Sequence, residues 1–289
     1  MTNRTVVLFV ADTHNGSTTG LMTRGQWQGK SYYDPNPVQR IIRQQYDEGI
    51  TAAAKARKGA RLVVCMVGDA IDGNHHDTKE IVTNSVEEQA RMHEACMDES
   101  LKTLRFSRRG GDKLYYIEGT EAHTGQKEDD IARNLSAEPY HPPTAANEYR
   151  DGVFVWPRLL LNINGIRFDI AHHGGKVGRL AWGRENSLRS TLKSIYFDCL
   201  EHGRPIPHYW IRADRHFHIA DKYSGERGSI TGIVLPALQA RTRFAHKVGG
   251  DIAMSTIGTV YVVVEPDGSH SWHINKLTYD EQEASEVAL

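Results

Sequence analysis

Aspartate and histidine side chains, which commonly bind divalent metals or move protons, directly follow two predicted buried strands. Asp12 and His14 come after the apolar run 5–10, and Asp69 comes after the apolar run 62–67. Open α/β sheets place their chemistry at the carboxyl ends of buried strands. Each residue alone is also explained as part of a solvated turn at a strand end. Because Gly68 lets the backbone turn sharply, Asp69 is expected to point into the crevice above the sheet edge.

Five further histidines also follow predicted strands. His123 lies in a glycine-led turn, His172 and His173 end a hairpin strand, and His216 and His218 follow a short strand. Residues two apart on an extended segment point the same way, so the last pair is expected to share one site. Solvated loop positions would explain each histidine separately, but their joint occurrence at strand ends predicts a common site.

The combination of imidazole and carboxylate groups without thiolates suits Mn, Fe, Zn or Ni better than a structural cysteine-zinc site. Seven or so candidate ligands are too many for one ion. Two ions held about 3.5–4 Å apart would clamp the attacking and leaving oxygens of a phosphoryl displacement, and a carboxylate such as Asp69 can bridge them.

The first half of the chain has the pattern of strand, helix and strand. After the strand 5–10 and a long loop at 17–37, apolar residues recur at helical spacing from Pro37 to about Lys58. The next strand follows at once, which predicts a parallel pair with a crossover helix. A second predicted helix, 85–106, and a third strand, 114–117, continue this arrangement, and a short helix is expected at 129–135.

The second half turns toward antiparallel sheet. Two strands flank the tight turn at Asn164 and Gly165, which predicts a hairpin. A helix is expected over 176–203, and the remaining predicted strands are 208–211, 232–238, 258–265 and 271–277. With no repeat or linker, we expect one domain over 1–289, its motifs within 5–220 and residues 221–289 forming a β-rich part of it.

Composition indicates an ordinary globular chain without a global field for nucleic acid. Its net charge is −1, and Cys65, Cys96 and Cys199 share no close spacing, which is typical of reduced core thiols. No apolar run approaches the roughly 20 residues of a membrane helix, so no membrane partner is expected. A strand begins within five residues of the start, so we expect a cytoplasmic protein without a signal peptide. The oligomeric state stays open.

The order and spacing of these motifs resemble the calcineurin-like metallophosphoesterases over residues 5–220. The motifs are DxH, GDxxD, a glycine-led turn ending in histidine, a strand-terminal histidine and HxH, at Asp12–His14, Gly68–Asp72, His123, His172 or His173 and His216–His218. The resemblance implies an α/β fold, an αββα sandwich of mixed sheets flanked by helices. The stretches GTEAH and AIDGNHH further resemble phosphoesterases encoded by phages and prophages, which would place the protein in a host cytoplasm.

The resemblance also implies which residues hold two ions: Asp12, His14 and His218 for one, His172 and His216 for the other, and Asp69 as the bridge. His172 is preferred over His173 because it ends the strand. One motif differs from the pattern of the family that the chain resembles. Members of that family usually carry Gly-Asn-His where this chain has Gly119-Thr120-Glu121-Ala122-His123. Thr120 is a poor ligand, so His123 or Glu121 completes the second ion, or that ion is bound weakly. His123 is also the candidate proton donor.

The activity implied is hydrolysis of a phosphodiester, in a nucleotide or nucleic acid, by a hydroxide bridging two ions, with Mn the expected metal. Four arginines near the metal histidines suit phosphate binding: Arg179, Arg184, Arg212 and Arg215. Two alternatives are a degenerate phosphoesterase fold that serves as a binding or scaffold module, which the missing Asn favours, and a phosphomonoesterase.

Overall fold

The computed structural model describes residues 4–26, 32–74, 79–125, 127–141, 152–174, 183–242 and 255–279. Its helices are α1 (Pro37–Arg57), α2 (Val86–Thr103), α3 (Glu121–Thr124), α4 (Lys127–Asn134) and α5 (Arg184–Glu201). Its strands are β1 (Thr5–Val10), β2 (Gly25–Gln26), β3 (Tyr32–Tyr33), β4 (Arg61–Val67), β5 (Lys113–Ile117), β6 (Val155–Trp156), β7 (Leu159–Ile163), β8 (Ile166–Ile170), β9 (Tyr209–Arg212), β10 (Ile219–Gly225), β11 (Gly228–Val234), β12 (Ser255–Val264) and β13 (His270–Tyr279).

Eleven of these strands form two mixed sheets that pack face to face, and β2 and β3 form a separate antiparallel pair. The first has the order β13-β12-β1-β4-β5-β6, and the second has the order β10-β11-β9-β8-β7. In the first sheet β1, β4, β5 and β6 are parallel, while β12 runs antiparallel to β1. The parallel pair predicted around α1 is therefore confirmed, with Val7 opposite Val63.

Alternate side chains along β1 face opposite sides of the first sheet and so belong to two different core layers. Val6, Leu8 and Val10 face the helices α1 and α2, whereas Val7 and Phe9 face the second sheet. The outer face of the second sheet packs against α5. Helix, sheet, sheet and helix thus form an αββα sandwich, and the predicted fold class is confirmed.

Two predicted elements differ in the structure. The strand expected at 232–238 is β11, and the chain leaves the sheet after Val234. Ala237 and Leu238, which follow, are nevertheless buried. Their backbone polar groups are paired outside a sheet: the Ala237 N–H donates to the Thr256 carbonyl, and the Leu238 N–H donates to the Asp12 carbonyl. The helix expected over 176–203 is described as α5 from Arg184, and residues 175–182 lie outside the described part of the chain.

None of the helices in the described ranges is both long and apolar enough to cross a membrane.

Candidate metal centre

The loops that leave β1 and β4 run side by side at the carboxyl ends of the strands. The N–H groups of Asp12, His14 and Asn15 donate to the carbonyls of Gly68, Asp69 and Ala70, at 3.1, 3.0 and 3.1 Å. The return bond runs from the Asp72 N–H to the Asn15 carbonyl at 3.1 Å. These backbone bonds hold the DxH and GDxxD segments in a fixed register.

Left-handed backbone concentrates in this region. Nine non-glycine residues of the described chain have positive φ, and five of them carry candidate ligands: Asp12, His14, Asp69, Asp214 and His216. Such backbone costs on the order of 1–3 kcal/mol per residue and persists where the surrounding structure imposes it, most often at functional sites.

The Asp69 carboxylate lies at the centre of the cluster. Its Oδ2 is 3.2 Å from His172 Nε2 and 3.7 Å from His14 Nε2. The Thr120 N–H donates to its Oδ1 at 2.6 Å, and the Thr120 hydroxyl donates to Oδ2 at 3.2 Å. Thr120, where relatives of the resembled family carry Asn, therefore orients the central carboxylate.

Asp12 joins two groups of candidate ligands. Its Oδ1 is 3.6 Å from His216 Nε2 and 3.9 Å from His172 Nε2. One group consists of Asp12, His14 and His216, and the other of Asp12, Asp69 and His172. Within each group the donor atoms lie within 4.8 Å of one another. Two adjacent groups sharing a carboxylate can bind metal ions.

Four donor atoms in these groups are buried and have no hydrogen-bond partner: Asp12 Oδ1, Asp12 Oδ2, His14 Nε2 and His172 Nε2. Unpaired buried polar atoms each cost about 1–3 kcal/mol, and more for a charged carboxylate. A bound cation would satisfy all four. The donor set of oxygen and imidazole nitrogen also fits a divalent transition ion.

Backbone carbonyls fix the tautomer of two histidines in the groups of candidate ligands. His172 Nδ1 lies 2.8 Å from the Val67 carbonyl, and His123 Nδ1 lies 2.9 Å from the Asp72 carbonyl. Because a carbonyl can only accept, Nδ1 carries the proton in both rings, and the Nε2 lone pair is left for a metal. His14 Nδ1 is held in the same manner by Asp72 Oδ1 at 3.2 Å.

His218 lies outside all the close groups, although it was expected to share an ion with Asp12 and His14. Its Nδ1 donates to the Val234 carbonyl at 2.9 Å, and its ring lies beside Trp272.

His216, which was expected to hold the same ion as His172, lies instead with Asp12 and His14. The positive φ of His216, 53°, breaks the alternation that would aim both rings at one point.

The structure places the residues of the two open choices in different surroundings. His172 is 1% exposed and lies beside Asp69, whereas His173 is exposed and lies 3.6 Å from Asp214. His172, His173 and Asp214 form a third close group.

Glu121 is exposed at the start of α3. His123 is half-buried, and its ring meets the ring of His14 edge-on with centroids 4.7 Å apart. Together with Asp72, His123 and His14 form a fourth close group.

Burial and neighbouring charges shift the pKa of three candidate ligands. Burial raises the pKa of Asp12 to about 7, and the neighbouring Asp69 carboxylate adds to this effect. Burial opposes protonation of His172, but the carboxylates of Asp69 and Asp12 outweigh it and raise its pKa to about 10. Burial lowers the pKa of His216 to about 3, so this imidazole is neutral and able to act as a ligand. The carboxylates thus favour a positive charge at His172 Nε2, supplied by a proton or by a metal ion.

Glu128 of α4 is a supporting residue that sequence reasoning missed. Its carboxylate is 2% exposed and accepts from the N–H groups of Ala70 and Gly119 at 3.0 and 2.8 Å. Ala70 follows Asp69, and Gly119 precedes Thr120, so one side chain holds both loops. Nothing in the local sequence of α4 marks this role, because it depends on where the helix packs. Asp72, by contrast, was visible as the last residue of GDxxD.

Three of the four arginines that were expected to bind phosphate lie among the described residues, and each of them contacts another side chain. Arg212 is buried and paired with Asp169, and the Arg184 guanidinium lies 4.4 Å from the centroid of the Phe217 ring. Arg215 lies 3.6 Å from Asp214, and Arg179 is outside the described residues.

Comparison with protein-family models gave no match, and comparison with curated proteins gave none. Among solved structures, a predicted phosphoesterase from Streptococcus pneumoniae is similar over 94% of this chain and 98% of its own, with 8% identity and a TM-score of 0.32. The sulfate thiohydrolase SoxB of Thermus thermophilus is similar over 95% of this chain and 56% of its own, with 8% identity and a TM-score of 0.38. Because both superpositions are loose, we draw no conclusion about this chain from either protein.

Proposed function

We propose that the protein is a metal-dependent phosphoesterase that hydrolyses a phosphodiester in a nucleotide or nucleic acid. The observation that carries the proposal is the set of unpaired buried donor atoms on Asp12, His14 and His172 around the central Asp69. Structural polar clusters satisfy their own hydrogen bonds, whereas a cluster built for cations leaves its donor atoms unpaired.

Two divalent ions, Mn being our first choice, would be held by Asp12, His14 and His216 on one side and by Asp12, Asp69 and His172 on the other. When bound, they would lower the pKa of a water and neutralise charge on the phosphate oxygens. The resemblance in the DxH, GDxxD and HxH motifs supports the same chemistry.

The residues of the chain orient the donor set and supply a proton. Asp72 holds His14, the Val67 carbonyl holds His172, and Thr120 holds Asp69. The Nδ1–H of His123 is held by the Asp72 carbonyl, so the proton that His123 can give to a leaving oxygen is one on Nε2.

The test is hydrolysis of bis-p-nitrophenyl phosphate, p-nitrophenyl phosphate, cyclic nucleotides and DNA by the Mn-loaded protein. We expect turnover of the diesters, and a loss of at least about a hundredfold in Asp12→Asn, because a ligand is removed. Asp47→Asn, an exposed aspartate on α1, is the matched control and should keep full activity.

Three outcomes separate the alternatives. Faster turnover of the monoester would favour a phosphomonoesterase. A protein that binds Mn weakly and turns over none of the substrates would favour a scaffold or binding module. Diesterase activity that survives Asp12→Asn would place the chemistry elsewhere in the chain.

A further inference from the structure

A cavity of about 600 Å³ lies on the outer face of the second sheet, between the edge strand β7 and helix α5. Its wall combines apolar side chains such as Trp210 and Leu160 with charged ones. Cavities of this size and mixed lining hold small organic molecules. His173 also lines it, next in sequence to His172 of the metal centre.

The charged residues of this cavity are unevenly balanced. Among the described residues that line it, four arginines, Arg158, Arg167, Arg204 and Arg212, face two aspartates, Asp169 and Asp198.

Each aspartate can neutralise one arginine. Asp198 pairs with Arg204. Asp169 is 3% exposed and is shared by two arginines: Arg158 contacts both of its oxygens, at 2.9 and 2.6 Å, and Arg212 contacts Oδ1 at 3.2 Å. One guanidinium of that pair therefore has no opposing charge of its own.

Arg167 supplies the second excess charge. Its Nε–H donates to the Ile206 carbonyl at 2.8 Å, and no carboxylate of the described residues lies within ion-pair distance. Arg212 lines the same cavity, has a side chain that is 8% exposed, and leaves its Nε–H without a hydrogen-bond partner. Arg212 is otherwise paired with Asp169, so the half-buried Arg167 is the guanidinium of this cavity that an anion would compensate.

We propose that this cavity binds an anionic organic molecule of about nucleotide size, with a phosphate group held by the guanidinium of Arg167. Guanidinium groups suit phosphate because their planar donors match its oxygens. Trp210 packs beside the cavity with the Arg212 guanidinium 4.2 Å from its ring centroid, so the apolar part of the ligand would lie along exposed side chains such as Leu160. This site is separate from the proposed phosphoesterase function and does not depend on it.

Isothermal titration calorimetry with adenosine 5′-monophosphate tests the proposal. Adenosine, which lacks the phosphate, and citrate, an anion that carries carboxylates instead, are titrated for comparison. The titrations are run on the wild-type protein and on Asp69→Asn, so that binding at the metal centre is distinguished. We expect saturable binding of the monophosphate in both, and adenosine binding weaker by at least about tenfold, since it lacks the charge-assisted contact.

Two variants assign that binding to the cavity. Arg167→Met should weaken it by about ten- to a hundredfold, as the loss of a charge-assisted hydrogen bond implies. Leu160→Glu puts a negative charge at a position that lines the cavity and is 66% exposed, so folding should be unaffected and the anion should bind several-fold more weakly. Arg189→Met removes an arginine that pairs with Asp221 on the other side of α5, and should bind as the wild type does.

The proposal is overturned if no monophosphate binds, if both cavity variants bind it as the wild type does, or if binding is lost entirely in Asp69→Asn. Citrate binding as tightly as the monophosphate would make the ligand a carboxylate and would overturn the phosphate assignment. If Arg167→Met does not fold, Leu160→Glu carries the test alone.

Discussion

At the scale of single residues, the site depends on how each imidazole is held. Backbone carbonyls fix His172 and His123 through Nδ1, and the Asp72 carboxylate fixes His14. In each ring the Nε2 atom is thereby left for a cation or a proton transfer. His123 has a half-buried position beside His14, which suits a group that meets the leaving oxygen of a substrate.

His123→Ala should lower turnover of a nucleotide diester by about 10²–10⁴-fold while Mn affinity is kept, because a proton donor is lost. A p-nitrophenyl diester should lose less, since its leaving group needs little protonation. Steady-state rates on both substrates and Mn titration check this, with the exposed His202→Ala as control. Equal losses that excess Mn repairs would instead make His123 a ligand.

The candidate residues could be predicted from the sequence, but their grouping could not. Asp12, His14, Asp69 and His172 were found as polar residues at the ends of apolar strands. The prediction that His216 and His218 point the same way assumed extended backbone at His216, and the structure has left-handed backbone there. Backbone conformation in an irregular loop depends on tertiary contacts that no local pattern records.

At the scale of secondary-structure elements, close packing of loops on the strand ends positions the donors. A Cβ atom on Gly68 would lie 2.3 Å from His172 Nδ1, and one on Gly119 would lie 2.3 Å from the Asp69 backbone nitrogen. The alternating strands and helices of the first half were predictable, because α1 has apolar residues at helical spacing and β4 is an unbroken apolar run. The buried path of residues 235–240 was not, because an apolar run that leaves a sheet resembles a strand.

Gly68→Ala should destabilise the fold and also weaken Mn binding, because the new methyl group displaces His172. Gly59→Ala is the matched control: its φ is +81° against +74° for Gly68, and nothing lies within 4 Å of its Cβ position. Both should lose about 1–2 kcal/mol from left-handed backbone. Urea unfolding and Mn titration measure the two effects, and equal Mn affinity in both variants would refute the contact.

Glu128→Gln should weaken Mn binding by about tenfold, because the Ala70 and Gly119 N–H groups donate to different carboxylate oxygens and the amide NH2 that replaces one of these oxygens cannot accept. The loops that carry Asp69 and Thr120 would then separate. Asp130→Asn, which changes an exposed acid of the same helix α4, is the control. Wild-type Mn affinity in Glu128→Gln would show that the loops hold their positions without this carboxylate.

At the scale of the whole molecule, the αββα layers bring the parallel strand ends of both sheets to one place. The motif resemblance implied this fold class, and the change from a parallel to an antiparallel pattern between the two halves of the chain agreed with it. A buried histidine links the layers below the site: His93 of α2 is fully buried, with Nδ1 2.9 Å from Asn15 Oδ1 and Nε2 2.9 Å from the Tyr116 hydroxyl. Burial lowers the pKa of His93 from 6.5 to about 3.

This burial predicts a loss of stability in acid. Between about pH 6.5 and pH 3 the unfolded chain protonates His93 and the folded chain does not, so the free energy of unfolding should fall with decreasing pH by up to about 1.4 kcal/mol per unit. His93→Gln removes this proton, and its stability should fall less steeply over that window. Denaturant unfolding at several pH values checks this, and equal slopes in both proteins would contradict it.

The central claim is that the cluster around Asp69 binds two divalent ions. Elemental analysis of the protein after saturation with Mn and removal of free metal tests it most directly, with Asp69→Asn and the control Asp47→Asn measured alongside. We expect two Mn per chain in the wild type and in Asp47→Asn, and fewer in Asp69→Asn, with its fold intact and its diesterase activity lost. One ion or none in the wild-type protein under saturating Mn, or undiminished metal and activity in Asp69→Asn, would contradict the account.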